Sequence, residues 1–597
     1  MGDYTIENIY QGGYSSLDPN KAYSSSFTGY RTSAGSLGLT TDPRTANIVK
    51  DASTKLSTGV KQIELALVSP ELLDSIPKQQ FEEMRQLGKL TGVDVSVHAP
   101  VIDSAGMSQQ GFSEMNREAA ERKITEALLR VRELKPDGNI PVVFHSAEGI
   151  PGSEWKTLGS KEKGREAKRL IAIDQDSGKM VPLEHEERFY PGTDLSKPTK
   201  YTPEDNLKMI NTTDWDNKIT QLFFNKERAD EILQQNSVQI EHLFKELNEK
   251  QERGENPMEG LTHTQKEVFM KFKDAKNYLD EINKNANAIF SKGYQYGDEG
   301  QKARLRELSE TYKKEVESGG ENPFSQSKAM HKLLLELQKP NLAPEMFVPI
   351  EKFAVDKSSK TFGNAAFNAF NKSKMDASKT PIMVIENPPA GFGLSTGEDL
   401  RNLVVESRKQ FVKQAEANGM DKKEAEKTAE KLIGATWDVG HINMLRKSGF
   451  GEKEIIAETE KIAPYVKHVH LSDNFGFEHT ELPMGMGNVP MKEIMAKLGE
   501  KGFEGKKIIE AGTWWQHFQT APIRETLEGL GSPMYSSGGG PMWNQSMGLQ
   551  QGYLSGYGMM LPSTNYQTFG AGFSQLPAEL GGEMARGGGK FSQRGME

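Results

Sequence analysis

Short apolar runs alternate with amphipathic stretches over residues 34–149, and the same rhythm returns over 381–530. In the first block SLGLT, VKQIELAL, VDVSVHAP and IPVVFHSA are short runs rich in aliphatic and β-branched side chains, which predicts strands. TANIVKDASTKLS, PKQQFEEMRQLGKL and REAAERKITEALLRVREL lie between them. They repeat their apolar residues at three- and four-residue spacing, as the buried face of a helix requires. After residue 149 the rhythm stops. RLIAIDQDSGKMVPL sets a D-S-G-K centre between two apolar runs and predicts a β-hairpin, and long, polar helices follow, such as THTQKEVFMKFKDAKNYLDEINKNANAIF. From 381, PIMVIENPP, IGATWDVGH, VKHVHLSD and GKKIIEAG predict four more strands, with helical stretches around 397–432, 453–464, 490–501 and 522–529.

Four strands before the interruption and four after it make eight. The simplest architecture is an α/β (β/α)8 TIM barrel, its halves 34–149 and 381–530 separated between strands four and five by a long, mainly helical insertion, 150–380, that carries the hairpin. Residues 1–33 are rich in Ser, Gly and Tyr and read as a flexible N-terminal arm. The Gly/Ser/Met-rich residues 531–597 read as a disordered or loosely docked tail, since such a composition buries too little apolar surface to offset ordering entropy.

Composition narrows the chemistry. With 597 residues, 36% hydrophobic and 26% charged, a large core is available, whereas a mean hydropathy of −0.63 and no long apolar run argue against a membrane span. The first residues lack the basic and apolar segments of a secretory signal, so a cytoplasmic address is expected. The absence of cysteine excludes disulfides, thiolate zinc sites, iron–sulfur clusters and a cysteine nucleophile together. Any metal must be held by His, Asp and Glu. A net charge of −9 argues against a globally basic nucleic-acid footprint, though a local basic groove stays open. The heavily charged, near-neutral insertion reads as a solvated helical bundle, with a partner-binding or lid role as the sharper alternative.

The metal-capable side chains fall in one kind of place. His98, His145, Glu386, Asp438, His470 and Glu510 each sit at or near the C-terminal end of a predicted strand, and in a barrel those ends converge on the face where active sites are built. Several carboxylates buried there without a cation would suffer desolvation and like-charge repulsion; bound metal resolves that conflict. Imidazoles and carboxylates without thiolates favour zinc or manganese, with magnesium a poorer fit. His441 follows Asp438 by three residues and addresses the same cavity. His468 shares a strand face with His470 but lies deeper, which suits a core or supporting role. His479 and Glu481 lie on a loop held by Gly485 and Gly487.

HAP at 98, FHSA at 145, IENPPAGFG at 385, DVGH at 438, HLSD at 470, HTELPMGMGN at 479 and IIEAGT at 508 occur in the order found in the endonuclease IV and xylose isomerase-like barrel superfamily, which the chain resembles over roughly 34–149 and 381–530. Carried over from endonuclease IV, the resemblance implies up to three zinc ions. His98, His145 and Glu386 would hold one, and Glu386, Asp438, His470 and Glu510 a second, with Glu386 bridging. His441 would serve a third with His479 and Glu481, where the family's Asp-x-His order is reversed. Val101 stands where the DNA-repair enzymes have a stacking aromatic residue. In the sugar isomerase and epimerase branch one ion is held by residues like Glu386, Asp438, His470 and Glu510, with Glu386 and Glu510 as the catalytic acid and base. That branch usually adds an Arg soon after the His-Leu-x-Asp motif, and residues 471–491 contain neither Arg nor Lys.

Two chemistries follow from the resemblance. The first expectation is a metal-dependent phosphodiesterase acting on nucleic acid with abasic or damaged sites, the cations polarising phosphoryl oxygens. The alternative is isomerisation or epimerisation of a small sugar or sugar phosphate. A third reading is a metal-holding scaffold without turnover that binds a protein partner through 150–380. No feature points to a membrane partner.

Overall fold

In the computed structural model the structure describes residues 36–529 apart from 109–110, 158–164, 192–193, 195, 236, 241–242, 244–260, 320–322, 504 and 519. The expected arm 1–33 and tail 531–597 lie outside the described residues. The eight sequence-predicted strands form as β1 (Leu37–Thr40), β2 (Gln62–Ala66), β3 (Asp94–His98), β4 (Pro141–His145), β5 (Ile382–Glu386), β6 (Ile433–Asp438), β7 (Val466–Leu471) and β8 (Lys506–Ile509). All neighbours are parallel and the sheet closes, β1 pairing with both β2 and β8. Although more than two hundred residues separate β4 from β5 in the chain, they pair directly, Glu386 opposite His145.

Parallel strands buried on both faces require near-continuous apolar runs, and Ile63, Leu65, Val97, Val142, Val143, Val384 and Ile385 are all fully buried. Around the strands the helices present apolar stripes. Helix α1 (Ile48–Leu56) is capped by the Asn47 side chain, which accepts from the Lys50 amide, and it buries Ile48, Ala52 and Lys55 on one face. Helix Ile350–Lys372 falls within the segment marked 150–380 by the sequence pattern, but its aromatic residues pack on barrel partners. Phe353 meets Phe112, Phe362 meets Phe144 and Phe370 meets Phe411, with ring centroids 5.1, 6.5 and 5.7 Å apart.

The chain divides into two compact units, one made of residues 1–166 and 351–597 and one of 167–350. In the second unit the expected hairpin is present: strand Arg165–Asp174 pairs antiparallel with Met180–Glu184, and Phe347–Pro349 pairs on its other edge. Helices Pro203–Gln235, His263–Tyr296, Glu299–Gly319 and Pro323–Leu337 bury Trp215, Ile219, Leu222, Leu279, Ile282, Leu305 and Leu334 in one core. Among the described residues no helix is long and apolar enough to cross a membrane.

Candidate metal centre at the mouth of the barrel

Side chains alternate along a strand, so residues two apart share a face. That rule stacks the polar residues of the barrel interior in layers. Ser96, Glu64 and His468 sit one layer below His98 and His470, while Glu386 and Asp438 are the last residues of β5 and β6, and Glu510 follows β8 immediately.

Glu386 is the hub. Its Oε2 lies 3.3 Å from His98 Nε2 and 3.4 Å from His145 Nε2, and its Oε1 lies 2.6 Å from His470 Nδ1. Glu510 reaches the same His470 Nδ1 at 3.3 Å. Among the described residues the ligand atoms form three groups compatible with a cation: His98–His145–Glu386, Glu386–Asp438–His470–Glu510 and, one layer lower, Glu64–His468–His470. All six strand-end residues named from sequence are therefore brought together. Several are oriented from outside: His98 Nδ1 faces the Ala99 carbonyl at 3.1 Å, which turns Nε2 inward, and His441 Nδ1 faces the Asn387 carbonyl at 2.7 Å with the same effect. Asp438 Oδ1 accepts the His441 amide at 2.8 Å, leaving Oδ2 toward the cluster. Gly440 is required beside it, because a Cβ there would stand 2.1 Å from Ser472 Oγ.

The electrostatics of the buried set are in conflict. Burial opposes protonation of His98, yet the adjacent Glu386 carboxylate and the charges of Glu510 and Glu64 outweigh it and raise its pKa to about 9. His470 is held well above its ordinary value in the same way, against burial, by Glu386, Glu510 and Glu64. Burial wins at His145 and lowers it to about 3. Asp438 is pushed up to about 6 by burial and by repulsion from Glu510 and Glu386, opposed by His441 and His470. Glu386 Oε2 and Asp438 Oδ2 are buried without a hydrogen-bond partner. Such orphaned acceptors beside imidazoles are what a divalent cation satisfies.

The loop residues behave differently. His479 Nε2 lies 2.8 Å from His441 Nε2, a spacing of one hydrogen bond between the two rings, and Glu481 lines the cavity. Among the described residues, no metal-compatible group gathers around His441, His479 and Glu481. Asp473 of the HLSD motif instead anchors this loop, its Oδ2 accepting the Gly485 amide at 2.8 Å and its Oδ1 the Val489 amide at 3.1 Å.

Two functional candidates escape the sequence reading. Glu64 of β2 is fully buried and lies 2.9 Å from His470 Nε2; it also takes hydrogen bonds from His468 at 2.8 Å and Ser96 at 2.9 Å. A carboxylate behind a ligating imidazole fixes its tautomer and orientation. His468 thus supports Glu64 from below, as its deeper strand position implies. Lys55 is the second, a buried lysine on the wall of the cavity. The cavity has a volume of about 290 Å³, and its lining includes His98, His145, Glu386, Glu510, Lys55 and Trp515.

Residues 409–531 match the model of the xylose isomerase-like TIM barrel family. Over 80 residues, 13% of this chain and 26% of the relative, the chain is 34% identical to the uncharacterized protein MJ1311 of Methanocaldococcus jannaschii. Over 74 residues, 12% of this chain and 27% of the relative, it is 26% identical to the fructoselysine 3-epimerase of Shigella flexneri. The matched stretches span about a quarter of the length of these curated relatives. Similar solved structures include a D-tagatose 3-epimerase-like protein, with a TM-score of 0.34 and 13% identity, covering 83% of this chain and 98% of that one. Another is D-psicose 3-epimerase of Clostridium cellulolyticum H10 with D-tagatose, at a TM-score of 0.34 and 9% identity, covering 83% and 96%. The closed barrel of eight parallel strands is the fold that the family model matched over residues 409–531 describes.

Proposed function

We propose that the chain is a metal-dependent isomerase or epimerase of a sugar or sugar derivative. One observation carries the reading: Glu386 and Glu510 approach the same His470 nitrogen, at 2.6 and 3.3 Å, within a single four-residue group. Two carboxylates on one centre are what proton removal and return at neighbouring sugar carbons needs, one as base and the other as acid. Glu386, Asp438, His470 and Glu510 would hold the cation, which when bound supplies Lewis acidity to the sugar oxygens and lowers the acidity barrier of the carbon between them. Glu386 and Glu510 then exchange the proton, and His98 and His145 orient the sugar through their cavity-facing nitrogens. A cavity of about 290 Å³ suits a small substrate. The fructoselysine 3-epimerase of Shigella flexneri is in keeping with this reading, which reverses the order of preference drawn from the sequence alone.

Phosphodiester cleavage is the second reading, and the His98–His145–Glu386 group favours it. The two separate on cation content and turnover. Elemental analysis of the purified protein is expected to find close to one divalent cation per chain, and ketohexoses in deuterated water are expected to gain deuterium beside the carbonyl. About three zinc ions per chain, with cleavage of an abasic-site duplex and no deuterium incorporation, would overturn the isomerase reading.

A further inference from the structure

We infer that the Lys55–Trp515 corner of the cavity is an anion site, so that the substrate of the carboxylate–imidazole centre is an acidic sugar whose phosphate or carboxylate docks on Lys55. The inference rests on the proposed function for the word sugar, and on the geometry of the corner for the word acidic.

Lys55 lies on the inward face of α1 with Ile48 and Ala52, at positions i, i+4 and i+7, where an apolar side chain is the rule. It is 4% exposed. Lysines are almost never buried unless paired, because an unpaired ammonium gives up its hydration without return. The only ring contact described for its ammonium is the face of Trp515, 3.5 Å from the centroid. Among the described residues no carboxylate or carbonyl lies within hydrogen-bonding distance of Nζ. The acidic neighbours are engaged elsewhere. Asp42 takes Arg44 Nε at 2.9 Å and the second guanidinium nitrogen at 2.8 Å, and Asp51 Oδ2 accepts the Asp42 amide at 2.7 Å.

An ammonium held over an indole and aimed into a cavity keeps all three donors for a ligand, and the stacked ring attracts the cation without consuming them. Burial lowers the Lys55 pKa to about 8, opposed by the nearby charges of Asp51 and Asp42, so the group remains mostly protonated at neutral pH. The cavity wall also carries Glu386, Glu481, Glu510 and the Arg44-paired Asp42, which leaves Lys55 as the lysine on that wall. A bound anion is therefore directed to Lys55 and away from the carboxylates, which leaves the neutral part of the molecule to face them.

The test uses the full-length, metal-loaded protein with inorganic phosphate as probe in isothermal titration calorimetry. Wild type and Lys55→Arg are expected to bind phosphate, and Lys55→Gln to bind at least tenfold more weakly with an unchanged circular dichroism spectrum and cation content. Lys55→Met, which keeps the apolar stem, guards against a variant that fails to fold. In turnover, a neutral ketohexose, its terminal phosphate ester and the corresponding sugar carboxylate separate the two sources of the anion. The preferred acidic form is expected to show a KM at least tenfold below that of the neutral sugar, and Lys55→Gln to erase that preference. Phosphate binding indifferent to Lys55, or a neutral sugar preferred by wild type, overturns the anion site. Phosphate binding that depends on Lys55 together with isomerisation of none of the sugars upholds the anion site and overturns the isomerase reading.

Discussion

The barrel mouth and the helical unit of residues 167–350 treat buried polar atoms in opposite ways. In the helical unit they are mostly answered locally, with Asn206 Oδ1 an exception: Asn211 exchanges two hydrogen bonds with the backbone of Phe347, at 2.9 and 2.7 Å, Lys226 pairs with Asp230, and the Trp215 indole donates to the Leu337 carbonyl at 2.7 Å. At the mouth, Glu386 Oε2 and Asp438 Oδ2 are buried and lack a hydrogen-bond partner. Folding alone selects against such groups, each of which costs about 1–3 kcal/mol. Where they cluster, the sequence is serving something other than stability. The helical unit is built as a core, and the mouth as a receptacle.

The sharpest way to break this contrast is Glu386→Gln. The substitution keeps the shape and removes the charge that the two upper ligand groups share, so turnover should fall by about a thousandfold or more and cation content should drop, with the helical circular dichroism signal unchanged. Wild-type activity in that variant, measured by the deuterium assay, would remove Glu386 from the chemistry. The converse test lies in the helical unit. Trp215→Ala removes a side chain 4% exposed from the centre of its core and should destabilise that unit by about 3–5 kcal/mol. Denaturant unfolding followed by far-ultraviolet circular dichroism reads the loss, and the cation content of the native protein should stay at the wild-type level. Loss of the cation from native Trp215→Ala would show that the two regions are not separable in the way the polar atoms imply.

The strands and the six strand-end residues were legible because both depend on local pattern. A parallel strand announces itself as an apolar run, and a His, Asp or Glu at its end is placed by the fold class before any contact is known. Glu64 was not legible, since one acid inside VKQIELAL has no meaning until β2 is brought opposite His470, 406 residues away in the chain numbering from 64 to 470. Lys55 did carry a signal. It occupies an apolar position of the Ile48–Ala52–Lys55 stripe, and a charged residue on a buried stripe is the anomaly to look for. The reach of His479 and Glu481 could not be read, because it depends on the loop conformation that Asp473 imposes through backbone amides rather than on ligand spacing. The edges of the insertion blurred for a similar reason: helix Ile350–Lys372 is tied to the barrel by its phenylalanine contacts and by hydrogen bonds of Ser358, Thr361 and Asn364 with Ser104, Arg117 and Glu121, all partners distant in sequence.

Glu64→Gln is the smallest of these effects and sharpens the contrast most finely, since it touches no substrate and no proposed cation. With His470 Nε2–H directed at Glu64, the Nδ1 lone pair faces Glu386 and Glu510; the carboxylate both selects that tautomer and makes the imidazole a better donor. Burial works against the charge on Glu64, but His470 and His468 hold its pKa well below the usual carboxylate range, so the carboxylate is ionised at neutral pH. An amide in its place still accepts a hydrogen bond, but without the charge, and must also turn a donor toward His468 or Ser96. Cation affinity, measured by competition with a chromogenic chelator, should fall about 10–100-fold, and the nitrogen-15 shifts of His470 should move toward the other tautomer. A purely structural role for Glu64 would lower the melting temperature and leave the chelator titration and the His470 tautomer as in wild type.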